Sequence, residues 1–241
     1  MRRLHFTVAV IAALCLGLGA QASITIPDGT LTAGGLGGYA YSISDTAINA
    51  QAAPEVHVTG RVTAYALPSV NAGWFTIGLI TESQRDRALV TYGVPSYMFN
   101  QAVFMMGMKA SSGYFVMPSD YAGDFPGGVG QAQGIGDSFT FDLKLVPTGA
   151  AGGTAYLSVN GGSYGTGLPY GTDNWNLYGW SFPPEDLSSA YLIAQLYTWD
   201  EGQTYSVSFE DVEAMVIPEP SSILALAGPL GLLLAFRRRR A

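Results

Sequence analysis

Between about residue 38 and residue 216 the chain alternates apolar and polar residues in short runs. Phe139, Phe141, Leu143 and Leu145 are apolar, with Thr140, Asp142 and Lys144 between them. Ala155, Leu157 and Val159 interleave with Tyr156 and Ser158, and Val56, Val58, Val62 and Ala64 with His57, Thr59, Arg61 and Thr63. A period of two puts each apolar set on one face of a strand. Runs of this kind, punctuated by Gly, Pro, Asn and Ser, predict strands near 38–43, 56–66, 74–80, 88–92, 98–108, 113–117, 138–146, 154–159, 191–198 and 204–216. No window between them has sustained helical periodicity with caps. Ten such strands need two stacked sheets, so the expected fold is an all-β, two-sheet antiparallel sandwich. Asn160-Gly161-Gly162 is expected to turn a hairpin, because Asn and Gly tolerate positive φ. No repeat of propeller or solenoid length is visible.

The two ends break the alternation. Arg2 and Arg3 precede an apolar stretch from Phe6 to Leu18, followed by Ala20-Gln21-Ala22. This is the layout of a secretion signal, residues 1–22, that signal peptidase would cut before Ser23. Leu4, His5 and Phe6 fit a twin-Arg signal poorly, so the Sec translocon is the expected route. At the other end, Pro218 and Pro220 stop any strand, since proline donates no backbone hydrogen bond. The uncharged run 221–236 follows. As a helix it would span about 24 Å, slightly short of a bilayer core of ~30 Å. Arg237, Arg238, Arg239 and Arg240 are then expected to stay on the cytoplasmic face and stop the transfer. The region 23–215 remains as one sandwich domain, with 216–241 as its tail. The only cysteine, Cys15, lies inside the signal, so no disulfide is expected in the mature chain.

Motif, apolar run and Arg cluster, in that order at the C-terminus, resemble the PEP-CTERM sorting tail of Gram-negative bacteria that make exopolysaccharide. The residues matching the motif are Pro218, Glu219 and Pro220. The resemblance implies an exosortase as processing partner, export across the inner membrane, transient anchoring there, and a final place at the cell surface or outside the cell. In the middle, HVTGRVTAYA followed by GWFTIGLIT, SFTFDLKLVP leading into TAYLSVNGG, and AYLIAQLY followed by YSVSFEDVEAMVIP resemble the concanavalin A-like jelly-roll sandwich. A plain membrane anchor and a different β-sandwich are the respective alternatives.

Charge narrows the partners. The formal net charge of −7 conceals an asymmetry, because six of the eleven bases sit at the two ends. Region 23–215 holds five bases, Arg61, Arg85, Arg87, Lys109 and Lys144, against seventeen acids, a net −12. Such a domain will not hold a phosphate backbone, so nucleic acid is not an expected partner. With His57 alone and no cysteine, ordinary zinc, copper and haem sites are excluded. A cation would have to be a hard one, calcium, and the candidate ligands are Asp120 and Asp124 in one Gly-rich loop and Asp200 and Glu201 between the last two strands. Loop acids on an acidic surface are mostly just solvated.

Catalytic patterns are incomplete. Gly161 to Gly165 spells G-x-S-x-G, but on a hairpin and with its only histidine upstream, so it reads as a turn. His57 reads as a half-exposed strand residue. Glu210, Asp211 and Glu213 only approximate the E-x-D-x-x-E of sandwich glucanases, and Glu210 and Asp211 should face opposite ways unless a bulge intervenes. The aromatic-rich stretch from Tyr164 to Phe182 is the most suggestive. Tyr170, Trp175, Tyr178 and Trp180 could present flat platforms for sugar CH faces, with Asp173, Asn174 and Asn176 to take hydroxyls. Packing under a long loop would require the same rings. The sequence thus points to a non-catalytic surface or matrix protein that binds or structures exopolysaccharide. A purely structural or adhesive envelope protein and a sandwich-fold glycosidase or lyase are the alternatives.

Overall fold

The computed structural model describes residues 22–51, 53–66, 73–94, 104–109, 113–117, 138–149, 152–165, 167–170, 176–177, 180–181, 187–198 and 202–217. In chain order they form β1 (Ser23–Thr25), β2 (Gly29–Gly34), β3 (Tyr39–Ile43), β4 (Glu55–Ala66), β5 (Gly73–Thr81), α1 (Glu82–Tyr92), β6 (Phe104–Lys109) and β7 (Gly113–Met117). There follow β8 (Phe139–Gly149), β9 (Gly152–Val159), β10 (Leu168–Tyr170), β11 (Asn176–Leu177), β12 (Trp180–Ser181), β13 (Ala190–Thr198) and β14 (Thr204–Ile217).

Two antiparallel sheets carry the architecture. The first has seven strands in the order β1-β14-β4-β8-β9-β10, with β2 also on β14. The second has five, β3-β13-β5-β6-β7. The chain passes from β2 to β3 and from β13 to β14, and each crossing switches sheets. The pair β2–β14 in one sheet therefore continues as β3–β13 in the other. The next ribbon, β4 into β5, wraps outside it on β14 and β13. A ribbon rolled across two sheets in this way is a jelly-roll sandwich, as the alternation demanded. The strands β11 and β12 form a small separate ribbon.

One apolar core lies between the sheets. Val56, Val58, Leu143, Leu145 and Ala155 project into it from the first sheet, Ile77, Leu79, Leu192 and Leu196 from the second, all fully buried. Phe75 and Phe209 stack across it at 6.3 Å between ring centroids. The pairing of β14 with β4 slips twice, between Ser208 and Phe209 and between Glu210 and Glu213. At the second slip Asp211 takes φ +53°, and its N–H donates to Asp28 Oδ1 at 2.8 Å. A bulge shifts the inward set by one residue. Tyr205, Val207 and Phe209 point inward before it, Val212 and Ala214 after it.

One sequence expectation needs correction. Residues 88–92 are not a strand; they end α1. Thr81 begins the helix with a capping box, its Oγ1 accepting from Gln84 N–H at 3.2 Å while Gln84 Oε1 accepts from Thr81 N–H at 3.1 Å. Gly93 closes it in the left-handed region, donating to the Leu89 carbonyl at 3.0 Å. Ala88 is buried but Leu89 and Val90 are exposed, so no apolar stripe announces the helix and the caps define it. At Asp211 the bulge on which the reading of the acidic run depended is present: Glu210, Asp211 and Glu213 all lie outside the core, on or beside the outer face of the first sheet.

The two outer faces differ. On the second sheet β13 is buried along nearly its whole length, including Ile193, Gln195 and Tyr197, which alternate with the core-facing residues. On the first sheet the outward residues of β4, β8 and β9 remain partly or fully exposed, apart from Ser158.

Candidate functional site

The open face of the first sheet gathers the ionisable side chains that alternation sends outward. Register aligns them in rows. His57, Lys144 and Tyr156 are directly opposite one another on β4, β8 and β9, and Thr59, Asp142 and Ser158 form the next row. A diagonal contact joins the rows: His57 Nδ1 lies 2.8 Å from Asp142 Oδ1 and 3.1 Å from Oδ2. On its other side His57 Nε2 lies 3.5 Å from Glu55 Oε2.

Tyr164 reaches this face from the loop after β9. Asn160 (φ +53°) and Gly161 (φ +69°) make the expected turn, closed by Gly162 N–H donating to the Val159 carbonyl at 3.0 Å. Ser158 Oγ donates to the Gly162 carbonyl at 2.6 Å and ties the turn back to the sheet. The chain then runs back beside β9, Gly165 N–H donating to the Leu157 carbonyl at 3.0 Å, and the Tyr164 hydroxyl donates to Asp142 Oδ2 at 2.6 Å. Asp142 thus accepts from two elements, a charge-assisted arrangement that fixes both donors.

Lys144 stands between two rings. Its ammonium is 4.4 Å from the Tyr164 centroid and 4.9 Å from that of Tyr156, and the rings meet edge to face at 6.5 Å. The backbone at Gly167 passes close under Tyr156; a Cβ there would fall on the Tyr156 ring and the Thr154 methyl. Glycine at 167 is what lets the ring lie down on the sheet.

Each proton follows from its surroundings. The hydrogen bond to Asp142 raises the His57 pKa, against a smaller opposing effect of burial. Partial burial pushes Asp142 up, but hydrogen bonds from His57 and Tyr164 and the attraction of His57 and Lys144 leave it below the usual carboxylate range. Burial and the bond to Asp142 raise the Tyr164 phenol, which stays a donor. The result is a rigid surface with two half-exposed rings, an ammonium between them and two carboxylates beside them.

Elsewhere on this face Arg61 Nη1 donates to Glu210 Oε1 at 3.0 Å. An open hollow of about 380 Å³ beside the bulge is lined by Thr25, Ile26, Pro27, Asp28, Asp211, Val212 and Glu213. Among the described residues no group of three or more His, Cys, Asp or Glu is placed to hold a metal ion. Ser163 lies in the turn after β9 and His57 is engaged by carboxylates, so the G-x-S-x-G run is a hairpin.

Of the sugar-platform residues expected from the sequence, Tyr170 ends β10 opposite Gly153, while Asn176 and Trp180 belong to the β11–β12 ribbon. Asp173, Asn174, Trp175 and Tyr178 lie outside the described residues, as do the calcium candidates Asp120, Asp124, Asp200 and Glu201. The signal, the Pro218-Glu219-Pro220 motif, the apolar run and Arg237 to Arg240 lie outside them too. Among the described residues no helix is long and apolar enough to cross a membrane. The site on β4, β8 and β9 was missed as a site because its members are scattered over more than a hundred positions. Its signal was present strand by strand, in the polar halves of three alternating runs.

No protein-family model matches the chain, and no curated protein matches it in sequence. Solved structures with a similar course of the chain include the carbohydrate recognition domain of Emp47p, at 8% identity and TM-score 0.47, covering 84% of this chain and 97% of that one. The alginate lyase AlyC3 is similar at 8% identity and TM-score 0.44, over 77% and 73% of the two chains. A legume lectin-like domain from Entamoeba histolytica is similar at 9% identity and TM-score 0.39, over 82% and 89%. These likenesses assign no residue and no ligand to the present chain.

Proposed function

We propose that this chain is an exported envelope or matrix protein whose sandwich domain binds or structures exopolysaccharide without catalysing its breakdown. The observation that carries the binding half is the outer face of the first sheet. Tyr164 is held there by its hydrogen bond to Asp142, Tyr156 by its edge-to-face contact with Tyr164, and both by the Lys144 ammonium. Rings fixed before the ligand arrives lose little rotamer freedom on binding, which suits a weakly contacting, hydroxyl-rich partner. The address half rests on the two sequence ends: a signal of 22 residues, and a tail whose Pro-Glu-Pro motif, apolar run and Arg cluster suit recognition by an exosortase. Strand β14 ends at Ile217, directly before that motif, so the folded domain and the sorting segment meet without a linker.

The non-catalytic reading is supported by the state of the carboxylates. Glu210 is paired with Arg61, and Asp142 with His57 and Tyr164. Each is already held by a partner, whereas glycoside hydrolysis needs a pair of carboxyl groups free to flank the glycosidic bond.

The test uses the processed protein recovered from its host's envelope or medium. Its mass should lack residues 1–22 and the Arg cluster, and affinity electrophoresis through the host's own polysaccharide should retard it. A Tyr156→Ala, Tyr164→Ala double variant should run unretarded. Wild-type migration unaffected by the polysaccharide would refute the binding half, and an uncut chain in the soluble cell interior the address half.

A further inference from the structure

Each cation on the open face can be followed to its partner. Arg61 is spent on Glu210. His57 lies between Asp142 and Glu55. Lys144 differs. Its ammonium contacts two ring faces, and among the described residues no carboxylate lies within ion-pair distance of it. Ring faces hold a cation by their quadrupole but accept little hydrogen bonding, so the ammonium can still donate to an acceptor that a ligand brings. The nearest acid on its own strand, Asp142, is already engaged by His57 and Tyr164.

We propose that the saccharide bound on this face carries a single negative charge, the carboxylate of a uronic acid, and that Lys144 selects it. The inference rests on the sugar-binding reading above and names its ligand class. The ammonium sits over one face of the Tyr164 ring, 4.4 Å from its centroid, so a sugar packed against the other face meets it only through a substituent that extends past the ring edge, as the exocyclic carboxylate of a uronic acid does. A carboxylate there completes a charge-assisted hydrogen bond, stronger than one to a hydroxyl. Charge count favours one negative charge over several. The domain carries a net −12, and a single ammonium cannot offset a doubly charged phosphate as well as a carboxylate. The overall repulsion is screened within about 8 Å at physiological salt, so selection operates at contact and not through long-range steering.

The experiment titrates the processed protein, in about 150 mM salt, with a panel of oligosaccharides of galacturonate, glucuronate, mannuronate and guluronate. Each is paired with its counterpart in which the carboxyls are reduced to hydroxymethyl groups. At least one acidic oligosaccharide should bind about tenfold more tightly than its reduced partner, the gap between a charged and a neutral hydrogen bond. Lys144→Met, which keeps an apolar stem against the rings, should bind both at the level of the reduced sugar. Lys144→Arg should keep the preference, which separates loss of charge from loss of fold. Equal affinity for acidic and reduced sugars in the wild type, or a preference surviving in Lys144→Met, overturns the assignment while leaving sugar binding in place. No binding of any member of either panel overturns both.

Discussion

The outer faces of the two sheets obey the same alternation and end differently. On the first sheet, Glu55, His57, Arg61, Asp142 and Lys144 face out and settle one another through lateral ion pairs and ring contacts in partial contact with water. On the second, Ile80, Ile193, Gln195 and Tyr197 face away from the core and are buried all the same. A strand covered on both faces loses the polar half of its pattern, and the AYLIAQLYT of β13 has lost most of it. Part of the cover is α1, whose Arg85 guanidinium lies 4.2 Å from the Tyr191 ring centroid. The lesson is that the second sheet contributes two packed surfaces to stability, while the first contributes one and leaves its other surface open to water.

That contrast can be broken most directly at Ile193. Its side chain is fully buried on the outward side of the second sheet, so Ile193→Ala should cost about 2–4 kcal/mol, as a core truncation does. Denaturant unfolding measures it, and a loss below 0.5 kcal/mol would mean that this face is not a second core. The same face carries a buried hydroxyl, Thr76 Oγ1, with no hydrogen-bond partner among the described residues. Thr76→Val keeps the shape and removes the unsatisfied group, and should stabilise by about 1 kcal/mol in the same assay.

On the open face the effects are smaller and depend on pH. His57 has a folded pKa above its unfolded value near 6.5. Its contribution is therefore complete below about pH 6.5 and is lost as pH rises through the folded pKa. Thermal unfolding of the wild type should show this decline on the alkaline side of pH 6.5, and Asp142→Asn should flatten it. An unchanged slope in that variant would place the cause elsewhere. The smallest change belongs to Arg61→Ala, whose partner Glu210 is exposed, and stability should move by less than about 0.5 kcal/mol.

Much of the fold was legible in the chain. The runs 56–66, 113–117, 191–198 and 204–216 reappear as strands within a residue or two at each end. The Asn160-Gly161 turn was readable because its residue types announce positive φ. The short edge strands β1, β2 and β10 escaped because three to six residues give too few periods to count. Helix α1 escaped because Thr81 and Gln84 carry its signature and its apolar residues form no stripe. Of the site, Asp142, Lys144 and Tyr156 were each seen to face outward, and Tyr164 to head an aromatic stretch. Nothing local tied them together.

The residue pattern by itself determined the sandwich, the turn after β9, the acidic, cysteine-free character of the middle, and which side chains share a face within a strand. Only the tertiary structure decided which faces stay open, that a bulge at Asp211 turns Glu210 and Glu213 the same way, and that Lys144 stands between two tyrosines. The reason is range. Side-chain direction along a strand is set by neighbours two residues away, whereas register, bulges and coverage depend on pairing partners such as Asp28 with Asp211 and His57 with Asp142, which are far apart in the chain.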